Sequence, residues 1–197
     1  MNIKYKIEFH TDWHCGSGLA AGADVDALVV KDEKGMPFIP GKTIKGLIRE
    51  AVEEIRGLQV EEIRGLQKEQ NEENFVKAFG FFDNKEQKKK GCMFFSNVTL
   101  EPNEYEAIVS NDAARFMYRD IASTAIDDNG IAKEHSLRKT EVVVPCTLHG
   151  EILNVPEEMA DEIIRSFGFI KRMGQNRNRG LGRCTITGRK EANNENA

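Results

Sequence analysis

Residues 171–183 (KRMGQNRNRGLGR) constrain the fold of this chain more than any other stretch. Three glycines follow the spacing G-x5-G-x-G, and the stretch carries five basic residues and no acidic residue. Glycine permits positive φ and the close approach of a second backbone. Consecutive N–H groups can form an anion-binding nest, and arginine matches phosphate geometry. We predict a loop that lies between a helix and a strand and contacts phosphate or nucleic acid; a tight, solvated turn is the simpler alternative.

The composition of the chain limits the class of protein to which this loop can belong. The 197 residues are 40% hydrophobic and carry a formal net charge of −4, as in an ordinary globular protein. An acidic chain does not coat nucleic acid through a global field, but it can carry a local basic groove. No apolar run has the length of a membrane span, and the N-terminus alternates like a strand rather than a signal peptide. Four dispersed cysteines without a C-x-x-C pair predict a reduced, cytoplasmic protein.

Hydrophobic periodicity predicts the order of the remaining elements. Helices are expected to begin at Gly41 and Pro156, and strands are expected at residues 3–10, 27–30, 93–100, 142–153 (bent near Pro145) and 184–187. This order contains a βαββαβ unit, which predicts an α+β fold with a ferredoxin-like (RRM-like) core, whose sheet often binds RNA. We expect one domain over residues 1–190, an insertion at about 103–140, and a polar, disordered tail at 191–197.

A tandem duplication interrupts the first predicted helix. The eight residues VEEIRGLQ at 52–59 are repeated at once at 60–67. Eight residues turn a helix by two full turns and about 80°, so the second copy cannot extend the apolar stripe of the first. We predict that the duplication lengthens or frays the helix end, and we assign it no chemistry.

The start of the same helix is a candidate phosphate contact. Residues 35–43 end in Gly-Lys-Thr, but five residues separate the two glycines where a nucleotide-binding P-loop has four, and two of the five are prolines without an N–H. ATP or GTP is therefore not expected. Lys42 and Thr43 at the helix start can still hold one backbone phosphate, with Lys45 and Arg49 in the next two turns. A capped surface helix is the alternative.

Two polar groups near the N-terminus are candidates for chemistry. Asp24 and Asp26 lie just before a strand, where short carboxylates can hold Mg²⁺ or position a water for phosphodiester attack; a turn-forming pair is the alternative. His10 and His14 are four residues apart with Cys15 adjacent, but no fourth zinc ligand lies at a recognisable spacing. His14 is a second candidate, as a general acid–base for RNA cleavage.

Four segments together resemble the RAMP superfamily of CRISPR-associated proteins. They are residues 23–32 (ADVDALVVKD), 35–46 (GMPFIPGKTIKG), 126–132 followed by 137–144, and the terminal glycine loop. The second is similar to the family pattern G-x-P-[YF]-I-P-G-[ST]-[ST]-[LI]-K-G. Among members of the family, the chain looks most like the repeating backbone subunit of type III effector complexes.

This resemblance implies partners and a binding surface. It implies a ferredoxin-like core with an inserted thumb and lid, and identical subunits stacked as a filament along a guide RNA (crRNA). Target RNA and other type III effector subunits would be further partners, with no membrane involved. The insertion would supply a thumb hairpin that wedges between guide and target bases. The guide backbone would contact Lys42, Thr43, Lys45, Arg49, Lys171, Arg172, Gly174, Arg177, Arg179, Gly180, Gly182 and Arg183.

The resemblance also implies a reaction. In the family, an aspartate in the loop before the second strand cleaves target RNA with a divalent metal, and Asp26 matches that position. Asp26 would then be the catalytic residue and the ligand of Mg²⁺ or another divalent cation, required for cleavage only. The family often has two glycines and an aliphatic residue before this aspartate; Ala23-Asp24-Val25 stand here, so Asp24 competes for the role. The alternatives are a non-catalytic structural subunit, or a metal-independent guide-processing endoribonuclease that uses His14.

Overall fold

A four-stranded antiparallel sheet with two helices packed on it forms the centre of the molecule. The computed structural model describes residues 1–20, 25–59, 66–82 and 88–191. The strands are β1 (Asn2–Phe9), β2 (Gly80–Phe82), β3 (Lys88–Lys90), β4 (Phe94–Phe95), β5 (Tyr118–Ser123), β6 (Arg138–Val143), β7 (Thr147–Leu153) and β8 (Cys184–Glu191). The helices are α1 (Gly41–Gln59), α2 (Leu66–Phe79), α3 (Pro102–Ser110) and α4 (Glu157–Ser166).

The strand order of the central sheet is β4-β7-β1-β8, and each neighbouring pair is antiparallel. Along the chain these strands alternate with helices as β1-α1-β4-β7-α4-β8, which confirms the predicted ferredoxin-like βαββαβ core. The alternation of β1 is also confirmed, because Ile3, Tyr5, Ile7 and Phe9 are all buried. The fold class is therefore α+β.

The apolar stripes of α1 and α4 cover one face of this sheet. Ile44, Ile48 and Ile55 recur at helical spacing on α1 and are buried in the common hydrophobic core. On α4, Met159, Ala160 and Ile163 form the buried side, behind two acidic residues that suit the first turn. A bidentate pair joins the helices: Arg56 Nε and Nη2 each donate to a Glu162 carboxylate oxygen at 2.7 Å.

The insertion consists of a helix and a hairpin. After α3, residues 114–117 form a 3-10 turn, and β5 then pairs with β6 from Tyr118↔Val143 to Ser123↔Arg138. The predicted single strand over 142–153 is wrong, because it is divided between β6 of the hairpin and β7 of the central sheet. The division falls at Pro145, which has no N–H to donate to a ladder.

Three other predicted boundaries differ from the structure. Residues 27–30 are extended but lie outside the central sheet, where isolated bridges join Val29 to Gly16 and Ala27 to Thr140. The predicted strand at 93–100 is regular only in β4. β8 continues through Glu191, one residue into the predicted tail, because Glu191 pairs with Asn2 and its carboxylate lies 3.0 Å from Lys4 Nζ.

Several predictions concern residues outside the described ranges. These are Asp24, most of the second copy of the duplication (60–65) and the tail from 192 to 197. The first copy of the duplication lies within α1. In the ranges that the structure describes, no helix is long and apolar enough to cross a bilayer.

Candidate nucleic-acid interface

The glycine loop (residues 171–183) is closed at its base by backbone hydrogen bonds. Met173 N donates to Gly182 O and Cys184 N donates to Lys171 O, both at 3.0 Å. These bonds bring the two ends of the loop together as a short antiparallel bridge. Gly182 has φ +66°, and a Cβ at this position would collide with Met173 O, so only glycine fits the closure.

The same loop is anchored on the N-terminal segment 10–16. Gly182 N donates to Asp12 O at 2.7 Å, and Gln175 N donates to His14 O at 2.9 Å. Gly174 has φ +90°, and an added Cβ would collide with His14 O. The N–H groups of Gln175 and Gly182 therefore already donate to protein carbonyls and are not free to bind an anion. Gly174 and Gly182 allow two backbones to approach closely. An anion at this loop would therefore be bound mainly by side chains.

Those side chains form a concentrated positive surface. All five basic residues of the loop are exposed, and none of them forms a salt bridge within the part of the chain that the structure describes. Arg172 Nη1 makes one long contact of 3.5 Å with Arg177 O. Guanidinium groups without carboxylate partners are available to phosphate oxygens.

Two grooves flank the loop and differ in charge. The groove beside α1 places Glu50 and Glu54 opposite the basic side chains of the loop. The lining of the second groove includes no carboxylate; it consists of His10, Lys171, Arg172, Arg183, Cys184 and Thr185. A polyanion is repelled less in the second groove, which makes it the better path for an RNA backbone.

The start of α1 offers less to a phosphate than its sequence predicts. Gly41 N donates to Asn97 Oδ1 at 3.0 Å, and Thr43 N donates to Pro40 O at 2.8 Å, so these two amides are already bonded. The side chains of Lys42 and Thr43 remain exposed at the helix start.

Lys45 and Arg49 lie away from the glycine loop. Leu47, Glu50 and Glu54 face the loop, and at about 100° per residue Lys45 and Arg49 project from the opposite side of α1. Arg49 donates to Glu53 at 2.9 Å, and its guanidinium lies 5.3 Å from the centre of the Phe75 ring in α2. The structure therefore divides the predicted binding residues between two faces of this helix.

Asp26 is exposed beside the outer end of β6. Its N donates to Lys139 O at 2.9 Å, and its Oδ2 accepts from Lys139 N at 2.7 Å. Among the described residues no group of three or more His, Cys, Asp or Glu side chains could hold a metal. Mg²⁺ commonly takes one or two carboxylates plus substrate phosphates and water. The Asp26 carboxylate fits that shared mode and does not fit a preformed protein cage.

His14 is buried, in contrast to Asp26. Its side chain is 1% exposed, its Nδ1–H donates to Glu141 O at 2.6 Å, and its Nε2 is buried without a partner. An RNA strand has no access to this ring, which disfavours the general-base role. Burial raises the pKa of the adjacent Cys15 thiol, which disfavours the thiolate that zinc requires.

The centre of the open face of the central sheet is mainly basic and polar. RRM-type sheets stack bases on aromatic side chains at the sheet centre. Here the groove on that face is lined by Lys4, Lys6, His149, Thr187 and Arg189, with the Tyr5 ring turned into the core. The basic residues suit contacts to phosphate, and the rings exposed on this sheet are those of His149 in the groove and Phe94 on the edge strand β4.

Sequence reasoning missed the side chains that connect the hairpin to the rest of the protein. Asp12 is 5% exposed and accepts from Arg119 Nε at 2.8 Å and from Arg119 Nη2. Glu141 accepts from Val29 N at 3.0 Å and from Lys31 Nζ at 2.6 Å. The partners are more than a hundred residues apart, and no local motif marks them.

Comparisons with known proteins agree with this architecture. A chain from the cryo-EM structure of the Type III-B Cmr-beta bound to cognate target RNA superposes with a TM-score of 0.64 at 11% identity, covering 95% of this chain and 97% of that chain. A chain from the apo state of the Type III-B Cmr-beta gives a TM-score of 0.68 at 13% identity, covering 97% and 98%. No curated protein matches the sequence. The family model of the RAMP superfamily matches residues 6–185, and the protein therefore belongs to the RAMP superfamily.

Proposed function

We propose that the protein is a guide-RNA-binding backbone subunit of a type III CRISPR effector complex, and that it cleaves target RNA with a divalent cation. Membership of the RAMP superfamily and a fold shared with Type III-B Cmr-beta chains support the assembly. The proposed partners are guide RNA, target RNA, further copies of the chain in a filament, and other effector subunits, in the cytoplasm.

The observation that carries the proposal is the glycine loop. It is held by backbone bonds to segment 10–16 and presents basic side chains that have no carboxylate partner in the described ranges. Rigid guanidinium groups lose little conformational freedom when they bind phosphate. Contacts of this kind do not read sequence, so specificity comes from base pairing between guide and target.

Charge reversal in the loop tests guide binding. We expect the triple variant Arg177→Glu, Arg179→Glu and Arg183→Glu to lose the RNA that copurifies with the assembled complex. The matched control is Lys34→Glu, Lys77→Glu and Arg165→Glu, which changes the net charge equally at exposed positions outside the loop. Equal RNA content in both preparations would contradict the proposed role of the loop.

Cleavage is assigned to the Asp26 carboxylate. A bound divalent cation would act as a Lewis acid and lower the pKa of a bound water. Asp26 would hold that cation against an RNA phosphate, while its bond to Lys139 N keeps the carboxylate at the edge of the hairpin. Asp24 stays the second candidate for this role.

Asp26→Asn tests the assignment, because asparagine keeps an acceptor for the Lys139 amide and removes the charge. We expect Mg²⁺-dependent cleavage of target RNA to be lost while guide binding is unchanged. The control Asp128→Asn, at an exposed position in the hairpin tip, should cleave normally. Cleavage that persists in Asp26→Asn would move the role to Asp24, which would then be substituted in the same way.

A non-catalytic structural subunit is the second candidate function. The residues Ala23-Asp24-Val25, which depart from the family pattern before the aspartate, favour it. A complex that binds guide and target but leaves target RNA intact with Mg²⁺ would establish it. Cleavage that persists in chelator and is lost in His14→Ala would instead support a metal-independent nuclease, against the burial of that ring.

A further inference from the structure

The segment that follows Asp26 is extended between two neighbours. On one side, Val29 bridges to Gly16, and Val30 N donates to Cys15 O at 2.8 Å. On the other side, Ala27 forms a parallel bridge with Thr140 of β6. The position of the Asp26 carboxylate therefore depends on how residues 27–31 are held against the hairpin.

Glu141 makes most of the contacts that hold this segment to β6. Its backbone N donates to Ala27 O at 3.0 Å, its Oε2 accepts from Val29 N at 3.0 Å, and its Oε1 accepts from Lys31 Nζ at 2.6 Å. The Glu141 side chain is only 12% exposed. Glu141 thus forms a hydrogen bond to every second residue after Asp26, at positions 27, 29 and 31.

The Glu141 carboxylate, rather than a backbone carbonyl of β6, accepts the hydrogen bond from Val29 N. Glu141 O already accepts from the Nδ1–H of buried His14 at 2.6 Å. Val29 is itself buried, so its N–H needs an acceptor within the protein. A side chain at position 141 without an acceptor oxygen would leave that N–H without this partner.

We propose that Glu141 is a positioning residue for the Asp26 carboxylate, an inference that rests on the proposed cleavage of RNA by Asp26. Glu141 lies two residues from Lys139, whose amide bonds directly to Asp26 Oδ2. β6 thus holds the catalytic carboxylate through Lys139 and the chain behind it through Glu141. Glu141 contacts neither guide nor target in this scheme, and it acts only through the geometry of residues 26–31.

Two measurements on Glu141→Leu in the assembled complex test the proposal. Leucine has a comparable size but offers no acceptor to Val29 N or to Lys31 Nζ. We expect amide hydrogen exchange to become faster in residues 26–31 and to stay unchanged at Val142 and Val143. Cleavage of target RNA should fall by about 10- to 100-fold, with guide affinity within about two-fold of wild type, because orienting partners typically contribute on this scale.

Lys31→Met and Glu134→Gln are the controls. Lys31→Met removes the ammonium partner but leaves the bond from Val29 N to the carboxylate, so it should retain most cleavage. Glu134→Gln removes an exposed carboxylate in the hairpin tip and should change neither readout.

The outcomes separate the inference from the proposed function. Unchanged exchange in residues 26–31 of Glu141→Leu would overturn the positioning role. An equal loss of guide binding and cleavage would also overturn it, because it would indicate a general folding defect. If the wild-type complex cleaves no RNA, the proposed reaction fails, and the exchange measurement still decides whether Glu141 positions Asp26.

Discussion

Gly182 and Gly174 determine how the glycine loop meets the N-terminal segment. Both have positive φ, and at both positions a Cβ would collide with a carbonyl oxygen, of Met173 and of His14 respectively. Gly180 also has positive φ, but open space surrounds it. The three glycines of one motif therefore differ in function: two permit close packing, and one permits only a turn.

Gly182→Ala should lower the free energy of unfolding by at least about 2 kcal/mol, because it combines backbone strain with a collision in a closed loop. Chemical denaturation of the purified chain measures this. The control is Gly168→Ala, an exposed position where no atom lies within 4 Å of the added Cβ. Equal midpoints for the two variants would contradict the close approach described for Gly182.

The sequence predicted that these glycines and arginines form a loop, since spacing and charge are local properties. It did not predict how the loop amides are used. Gly182 N and Gln175 N bond to Asp12 and His14, which lie more than 160 residues earlier in the chain. The nest that we expected from main-chain amides is therefore partly replaced by packing, while the positive side chains remain exposed.

At the scale of elements, an ion pair between an exposed arginine and a buried carboxylate helps to hold the β5–β6 hairpin to the body of the protein. Arg119 of β5 donates two hydrogen bonds to Asp12, whose side chain is almost fully buried. A buried carboxylate that loses its partner is strongly unfavourable. Arg119 is thus one of several contacts that set the orientation of the hairpin, together with Glu141 and the bridge from Trp13 to Val143.

Arg119→Ala should destabilise the protein by about 2 kcal/mol, because it removes two hydrogen bonds to a charged and buried carboxylate. The control is Arg189→Ala, which removes a more exposed arginine that lies 3.4 Å from Glu191 and should cost less than about 1 kcal/mol. Thermal unfolding of both variants provides the comparison. A similar shift in Tm for the two would show that the Arg119–Asp12 pair does not help to hold the hairpin.

Periodicity identified the core elements but not the insertion. β1, α1, α4 and β8 each carry a clear apolar pattern, and each forms where the pattern predicts. Residues 103–140 lack such a pattern because α3 has no buried residue and β5 is largely exposed on both faces. Elements that bury little surface leave little signal in a sequence.

At the scale of the whole molecule, the chain is acidic, but positive charge is concentrated in the glycine loop. The chain carries a formal net charge of −4, while the glycine loop concentrates five cations without an acid. The field by which the loop would attract RNA is therefore short in range and is screened by salt within about 10 Å at 0.1 M ionic strength. That residues 1–190 behave as one domain stays a prediction.

Guide affinity should fall linearly with the logarithm of salt concentration, with a slope of about −0.7 for each phosphate contacted. Reversal of Arg177, Arg179 and Arg183 should reduce the magnitude of that slope by about 2, because three contacts are removed. Binding measured over a series of NaCl concentrations tests both statements. An affinity that does not change with salt would exclude phosphate as the main contact.

Segment 10–16 contacts both the glycine loop and the β5–β6 hairpin, which are far apart in the sequence. Asp12 accepts from the glycine loop through its carbonyl and from the hairpin through its carboxylate, and Trp13 is bridged to Val143 at the foot of the hairpin. We therefore expect an RNA strand that displaces the loop to change the orientation of the hairpin as well. Occupancy at one surface and orientation at the other would then be thermodynamically linked, equally in both directions.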